Sequence, residues 1–425
     1  MLQTLRNAWR IEEIRKKILF TLLIVLLYRI GNAIPVPFVN TALLQQYFAY
    51  LQNTALGLLD AMSGGSFSNA TIFALSIQPY INASIIIQLL CIAIPALERM
   101  SKEEGEEGRK KIASITRYST VAIGLLQGFG YYMLMKNNGI IVAEAAGSVW
   151  AAIIIILTFT SGSALIMWLG ERITEFGVGN GISIILFASI ISRFPNSVIT
   201  TIQNVANGSL AWWAAVLVFL GALALIVLIV FVNDAERRIP VQYAKRVVGR
   251  KMYGGQSTHL PMKVNMSGVM PIIFASSISS IPATIAAFTG HQDSAWAKTN
   301  TIPYAIIYLL LIIFFAYFYS TIQFNPIEVA NNLKKNGGYI PGFRPGKPTS
   351  EFIQKVLNKI TLFGAIYLGI IAITPILISH FSNAAALTGL SLGGTSIIIV
   401  VGVALETVRA IEAQMLMRNY KGFLS

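Results

Sequence analysis

Residues 211–233 read AWWAAVLVFLGALALIVLIVFVN and contain no charged side chain. A transmembrane helix needs about 20 consecutive, mainly apolar residues, and this stretch has that length and composition. Similar runs recur along the 425-residue chain, which is 55% hydrophobic and only 12% charged. Because soluble domains carry about 25% charged residues, the composition predicts a polytopic membrane protein and argues against a soluble globule or a disordered chain.

The uncharged runs predict ten membrane-spanning helices, and their length argues against strands. Polar or glycine-rich stretches at 203–208 and 379–394 divide two runs that are too long for one helix. Residues 1–17 mix apolar and basic side chains, which is typical of an interfacial helix. The predicted fold class is an all-α polytopic membrane protein with spans at 18–34, 76–97, 114–135, 149–170, 181–194, 211–233, 268–288, 302–323, 361–379 and 395–416.

The positive charges are distributed very unevenly across this topology. With ten spans, 28 of the 32 Lys and Arg residues fall on the side that holds both termini. The positive-inside rule identifies that side as the cytoplasm, so most of the net charge of +14 reports topology. Ten spans divide into two five-helix halves, 18–200 and 201–425, and an odd number of helices per half inverts the second half.

Two cytoplasmic loops, 234–264 and 324–360, are long, basic and rich in turn-forming residues. One interpretation is that their charge only anchors the topology and attracts anionic lipid. The other is that they dock a partner with an acidic protein surface or RNA phosphate. The positive-inside rule explains the sign of the charge in these loops but not their length.

Residues 55–75 form an apolar segment on the opposite side of the membrane. A short helix-forming stretch at 55–62 is followed by Gly64 and Gly65, and the segment is too short to span. Irregular backbone at membrane depth is tolerated only where it is buried or lines a cavity, so a re-entrant segment fits. A helix lying on the membrane surface fits the composition equally well.

The sequence offers no arrangement of side chains that is typical of catalysis or metal binding. The single Cys91 and the histidines His259, His291 and His380 are scattered, so no enzyme, metal or cofactor is predicted. The near absence of ionisable residues in the spans argues against proton-coupled transport. Gly177, Gly179 and Gly181 loosely match a phosphate loop, but they follow a helix, which favours a tight turn.

Several long motifs resemble the SecY family, the central channel subunit of the bacterial protein-secretion translocon. The matching stretches include RIGNAIPVP at 29–37, SGGSFSNATIFALSIQPYINASIIIQLL at 63–90, ERITEFGVGNGISI at 171–184 and FNPIEVANNLKKNGGYIPGFRPG at 324–346. The resemblance covers nearly the whole chain. It implies a clamshell of two inverted halves in the bacterial inner membrane, which conducts unfolded polypeptides and releases transmembrane segments laterally. An inverted-repeat secondary transporter is the alternative function.

The resemblance also implies a pore, a plug and a lateral gate. The pore would be closed by a ring of six aliphatic side chains, Ile77, Ile81, Ile182, Leu186, Ile273 and Ile399. For each of these residues, ordinary packing between helices is the alternative role. Leu186 stands where the family often has isoleucine. The plug would be residues 55–69 and would include Leu56, Leu58, Leu59, Met62, Gly64 and Gly65. This correspondence favours the interpretation of the segment as re-entrant. The gate would lie between the second and third spans and the seventh and eighth, at Gln88, Gln127, Ser276 and Ser277.

The partners implied by the resemblance fall into two groups. The two basic loops would bind the motor ATPase SecA or the ribosome, through Arg238, Arg250, Lys251 and Arg344. Within the membrane, the small subunits SecE and SecG, signal sequences, nascent polypeptides and anionic lipids are expected. No cofactor is implied, so the energy for transport would come from the partners or the membrane potential.

Overall fold

The computed structural model describes residues 2–51, 55–102, 104–145, 147–208, 211–243, 246–248, 251–253, 257–288, 301–381 and 394–421. Most of these residues are helical. The helices are α1 (Leu2–Arg10), α2 (Glu12–Gly31), α3 (Thr41–Tyr50), α4 (Ala55–Met62), α5 (Gln78–Ala93), α6 (Pro95–Lys102), α7 (Gly105–Asn137), α8 (Val149–Phe176), α9 (Gly181–Ala206), α10 (Trp212–Asp234), α11 (Met270–Phe288), α12 (Ile302–Gln323), α13 (Pro326–Lys335), α14 (Lys347–Phe381) and α15 (Gly394–Lys421).

A helix occupies each range in which the sequence predicts a span. A bent pair, Gln78–Ala93 with Pro95–Ser101, is one candidate for crossing a membrane. In the part of the chain that the structure describes, five further segments are individually long and apolar enough: Val149–Phe176, Gly181–Ala206, Trp212–Asp234, Ile302–Lys335 and Lys347–Thr374. The chain is therefore a multi-pass membrane protein, while the number of ten spans stays a prediction.

Among the predicted helix ends that differ from the structure, two lie next to prolines. Helix α5 ends at Ala93 rather than at 97, because Ile94 precedes Pro95 and adopts an extended conformation with φ −109° and ψ 113°. The chain then turns by 106° into α6. Helix α9 instead continues through Pro195 to Ala206, well beyond the predicted end at 194.

The turn between α8 and α9 confirms the tight-turn interpretation of its three glycines. Asn180 caps α9, since its side-chain oxygen accepts hydrogen bonds from the backbone N–H groups of Ile182 and Ser183. Gly179 has φ +71°, a value that favours glycine, and a Cβ at Gly181 would overlap the carbonyl oxygen of Gly170. The glycines therefore serve the packing of α8 against α9.

The two basic loops contain strands, so the all-α prediction needs a correction there. Strands β1 (Glu236–Tyr243) and β4 (Ser257–Lys263) form an antiparallel hairpin that encloses the shorter β2 (Arg246–Val248) and β3 (Lys251–Tyr253). In the second loop, α13 precedes β5 (Gly338–Tyr339), which pairs antiparallel with β1. The order β4–β1–β5 joins the two loops in one sheet, and α14 already begins at Lys347, inside the predicted loop.

Hydrophobic clusters define the interior. The largest unites α2, α4, α5, α8, α9, α10, α11, α12, α14 and α15, so it includes residues from both predicted halves. A second cluster packs α3, α4, α7 and α8 around the non-helical residues 63–77. A third packs the sheet against the N-terminal part of α14. The N-terminal helix α1 packs through Ala8 against the cluster that contains Ile411 of α15.

We predict that Gly162→Ala destabilises the protein. A Cβ at Gly162 of α8 would overlap the backbone carbonyl of Ile72, so α8 and the segment 63–77 must separate. Overpacking of this kind lowers the free energy of unfolding by about 1–3 kcal/mol. The apparent Tm of the purified protein measures the effect. Gly221→Ala is the matched control, because Gly221 lies on α10 with open space around it, and an equal loss in both variants would contradict the prediction.

Candidate functional site

The six predicted ring residues lie in one hydrophobic cluster. Ile77 and Ile81 come from the start of α5, Ile182 and Leu186 from α9, Ile273 from α11 and Ile399 from α15. Five of them are at most 3% exposed, and Ile182 is partly buried. The structure therefore brings together side chains that are distant in sequence. The cluster is compatible both with a closed constriction and with ordinary helix packing.

The end of the short helix α4 meets this cluster. Met62 is buried, and its sulfur accepts a hydrogen bond from Nε2 of Gln78 at 3.7 Å and lies 4.0 Å from Oγ of Ser276. On the other side of α4, Leu56 belongs to the second cluster and Leu59 packs against it. The side chain of Leu58 lies outside the described residues. The burial of α4 on both sides favours a re-entrant segment over a helix on the membrane surface.

Glycines allow the sharp turn that follows α4. Gly64 and Gly65 have φ +72° and +85°, which side chains of L residues rarely adopt. A Cβ at Gly64 would lie 2.8 Å from the carbonyl oxygen of Ser189 in α9. Both glycines predicted from the sequence are therefore required by the backbone at this point.

A partly buried ion pair beside α4 is a feature that the sequence prediction missed. Asp60 of α4 pairs with Arg193 of α9, and the other carboxylate oxygen of Asp60 accepts a hydrogen bond from the N–H of Ser68 at 2.7 Å. A signal was available in the sequence. Asp60 is the only charged residue between Gly31 and Leu97, and Arg193 is the only one between Phe176 and Asn233.

The predicted gate residues have different environments. Ser276 and Ser277 are buried in α11, and Gln88 of α5 and Gln127 of α7 are partly buried. Gln88 donates to Oγ of Ser84 in its own helix at 3.3 Å. A hydrogen bond from Ser277 to Oε1 of Gln78, at 3.2 Å, connects α11 to α5. Gln78, which the sequence prediction did not select, thus links the two sides of this seam.

Two of the predicted docking residues are exposed in the two loops that the sheet joins. Arg238 on β1 is exposed and donates to Glu236 at 2.7 Å, and Arg344 is exposed in the turn before α14. Tyr339 of β5 donates to Gln242 of β1 at 2.9 Å, which adds a side-chain link between the two loops. Arg250 and the side chain of Lys251 lie outside the described residues.

A polar cluster fastens the base of the β1–β4 hairpin to α10 and α15. Asn265 donates to Oδ1 of Asn233 at 2.9 Å, and Arg409 donates to the carbonyl of Asn233 at 3.0 Å and pairs with Asp234. Partial desolvation of the ammonium, reinforced by repulsion from Arg409, lowers the pKa of Lys263 at the end of β4. The base of the hairpin is therefore attached to α10 by a hydrogen bond between two neutral amides, and α10 is attached to α15 by the charged side chain of Arg409.

Within the described residues, no three His, Cys, Asp or Glu side chains come together in a group that could hold a metal ion. The cluster of ring residues likewise presents aliphatic carbon rather than ligating atoms.

Comparison with known proteins gives consistent matches. A family model described as SecY matches residues 71–408. The chain is 45% identical over 440 residues to protein translocase subunit SecY of Streptomyces galbus and 43% identical over 448 residues to that of Mycobacterium tuberculosis, with 100% of both chains covered in each case.

Solved structures also match. One described as a protein-conducting channel aligns with a TM-score of 0.66 at 17% identity, covering 95% of this chain and 93% of its own. Another, Sec61 in the canine ribosome–channel complex from the endoplasmic reticulum, aligns with a TM-score of 0.63 at 16% identity and the same coverage. At these identities the structures show a shared fold.

We predict that Ser277→Ala destabilises the protein, because it leaves Oε1 of Gln78 without its donor in a buried seam. A buried unsatisfied acceptor costs about 1–3 kcal/mol, whereas removal of both partners is closer to neutral. The apparent Tm should therefore fall for Ser277→Ala and partly recover in Gln78→Leu/Ser277→Ala. Ser161→Ala is the control, since Ser161 is exposed and bonds within its own helix. Equal Tm values for Ser277→Ala and the control would contradict the prediction.

Proposed function

This chain belongs to the SecY family of protein-translocation channels, and we propose that it conducts unfolded secretory polypeptides across the membrane and releases transmembrane segments laterally into lipid. The observation that carries the proposal is the full-length similarity to curated protein translocase subunits, at 43–45% identity. The cluster of ring residues supplies a physical place for the pore. Since the family consists of channels, the chain is not an enzyme, and a secondary transporter is not supported.

In this proposal, the six aliphatic residues Ile77, Ile81, Ile182, Leu186, Ile273 and Ile399 form the waist of the pore. An apolar constriction stops ions and water by dewetting and offers no fixed partner to a particular substrate. Aliphatic side chains change rotamers at small energetic cost, so the ring can close around chains of varied composition. The burial of these residues in one cluster supports this role at rest.

Helix α4 and the turn that follows it are proposed as the plug. Met62 touches the ring cluster from one side, at Gln78 and Ser276, and a short helix held by turns can leave without unfolding a span. The proposed lateral gate is the seam between α5 and α7 on one side and α11 and α12 on the other. The hydrogen bond from Ser277 to Gln78 crosses this seam between two neutral side chains, so breaking it costs only a modest free energy.

The membrane topology follows from the charge distribution. We propose ten spans in two inverted halves, 18–200 and 201–425, in the bacterial inner membrane, with both termini and the two basic loops in the cytoplasm. The support is the helix found in each predicted range and the concentration of Lys and Arg on one side. Residues 1–17 hold α1 and the start of α2, and α1 packs against α15 at that side.

The sheet that joins the two loops is the proposed docking surface for SecA or the ribosome. Arg238 and Arg344 are exposed on it, and the positions of Arg250 and Lys251 in the same loop add to its charge. Arg and Lys clusters of this kind attract acidic protein surfaces and phosphate. A structure with a ribosome-bound Sec61 among the fold matches supports the ribosome as one partner.

Partners within the membrane are proposed from exposed apolar surface. Helix α10 exposes Leu217, Leu220 and Phe231, which requires lipid or another membrane subunit to cover them. SecE and SecG are the proposed subunits, as expected from the family. Anionic lipids are expected to pair with the basic residues at the cytoplasmic face.

We predict that a polypeptide stalled in transit touches the ring. Single cysteines at Ile81 and Ile273, in a Cys91→Ser background, should form disulfides with a cysteine in the arrested segment of a secretory chain. Leu220→Cys on α10 is the control, because its side chain is exposed on the outer surface. Gel electrophoresis without reductant reads out the crosslinks. Crosslinking at Leu220→Cys but not at the ring positions would refute the proposed path.

We predict that Arg344→Glu blocks transport driven by SecA. Reversal of a charge in a docking surface replaces attraction by repulsion and costs affinity of about tenfold or more. Transport of a purified secretory protein into proteoliposomes measures the effect, and the apparent Tm should stay that of the parent because Arg344 is exposed. Lys136→Glu at the end of α7, on the proposed outer side, is the charge-matched control. Normal transport by Arg344→Glu would exclude this docking role.

A further inference from the structure

The Asp60–Arg193 ion pair ties α4 to α9 at the edge of the protein interior. The Asp60 side chain is 8% exposed and that of Arg193 is 36% exposed. Ser68, in the turn after α4, donates its N–H to the same carboxylate at 2.7 Å. One carboxylate therefore fastens α4 to a neighbouring helix and also to the start of the following segment.

Close backbone packing makes this ion pair possible. Gly64 approaches the carbonyl oxygen of Ser189 so closely that a Cβ there would lie at 2.8 Å. The hydroxyl of Ser192 donates to the same carbonyl at 2.6 Å, within one turn of Arg193. The contact between α4 and α9 is thus closely packed, with Gly64 at the point of closest approach and the Asp60–Arg193 ion pair beside it.

The residues after Gly65 are held by a different part of the molecule. The ring of Phe67 stacks on Tyr131 of α7 with 4.1 Å between centroids and meets Phe48 of α3 edge-on at 5.3 Å. Tyr131 also donates its hydroxyl to the carbonyl of Phe67. Gly64 and Gly65, both at positive φ, lie between the contact of α4 with α9 and the anchor on α3 and α7. The hydrogen bonds from Ser68 to Asp60 and from Phe67 to Ser63 still connect the two parts across these glycines.

We propose that the Asp60–Arg193 pair is a latch on the plug, and that α4 leaves the ring by breaking this pair and the Asp60–Ser68 hydrogen bond while residues 66–77 stay anchored to α3 and α7. This inference rests on the proposed function of α4 as a plug. Aliphatic contacts with the ring are non-directional and exchange readily. A partly buried ion pair is different, because separation leaves an uncompensated charge on each partner. The latch thus adds a threshold to opening that the ring does not supply.

A double-mutant cycle tests the latch. Asp60→Asn, Arg193→Gln and the double variant are compared with the parent as full-length protein in planar bilayers, and the resting ion conductance is measured. Each single change should raise the conductance about tenfold, as expected when one partner of a partly buried pair is removed. The double variant should match the singles, because the same interaction is lost only once.

Glu144→Gln is the matched control for this cycle, since Glu144 is an exposed carboxylate before α8. Its conductance should equal that of the parent. Unchanged conductance in the single variants would overturn the latch. A double variant whose increase is the product of the two single increases would overturn it as well, because the two residues would then act independently.

Thiol labelling tests which part of the segment moves. Met62→Cys and Ser66→Cys are reporters in a Cys91→Ser background, and both positions are at most 5% exposed. Adding Arg193→Gln should raise the labelling rate of Met62→Cys about tenfold and leave that of Ser66→Cys unchanged. Equal increases at both reporters would show that the whole segment loosens, and the proposed pivot at Gly64 and Gly65 would be wrong.

The proposed function has a separate readout, which is transport into proteoliposomes. Transport of an unfolded secretory polypeptide by the parent protein, with its motor and subunits, supports the channel, and its absence would contradict the proposed function. Conductance and labelling differences between the variants and the parent are judged independently of transport. Failure of the latch and failure of the channel are thereby distinguished.

Discussion

A buried backbone that leaves the helical conformation must find its hydrogen-bond partners inside the protein, and residues 63–77 depend on this constraint. Some of their partners lie in the residues that follow α2. The N–H of Ile72 donates to the carbonyl of Ile34 at 3.0 Å, and the carbonyl of Ala70 accepts from the N–H of Val36 at 2.9 Å. Side chains complete the set, as when Ser63 accepts from the N–H of Phe67 at 3.2 Å. The surrounding helices are arranged so that this segment stays enclosed.

Close packing of helices around residues 63–77 requires small residues at the points of closest approach. Gly162 lets α8 come against the carbonyl of Ile72, and Gly64 lets the segment reach α9. Without hydrophobic driving force between helices in lipid, close approach of small residues supplies the packing energy. The same compact arrangement gathers the aliphatic ends of α5, α9, α11 and α15 into one cluster beside α4. The same helix packing therefore surrounds residues 63–77 and brings the ring residues together.

The parts of the fold that sequence reasoning predicted are those that depend on local composition. Apolar runs such as 211–233 locate their helices because lipid demands length and apolarity in every residue of a run. The glycine break after Met62 was visible for the same reason. The end of α5 at Ala93 was missed although Pro95 signals it, since composition alone does not show a bend.

The features that sequence reasoning missed depend on residues far apart in the chain. Strand β1 pairs with β5 about a hundred residues later, and the alternation of Ile239 and Val241 is too short to stand out in a basic loop. The Asp60–Arg193 pair and the Ser277–Gln78 hydrogen bond link residues that no local pattern connects. For the ring, the packing and the channel interpretations predict the same burial, so family resemblance was needed to choose these six positions.

The sheet that unites β4, β1 and β5 has a consequence for the order in which the molecule is assembled. During synthesis the N-terminal part of a chain is available first, and β5 emerges only after α10, α11, α12 and α13 have been made. The β1–β4 hairpin can form early because its strands are close in sequence, whereas its pairing with β5 must wait. A partially synthesised chain therefore lacks the complete three-stranded sheet until most of its long apolar helices exist.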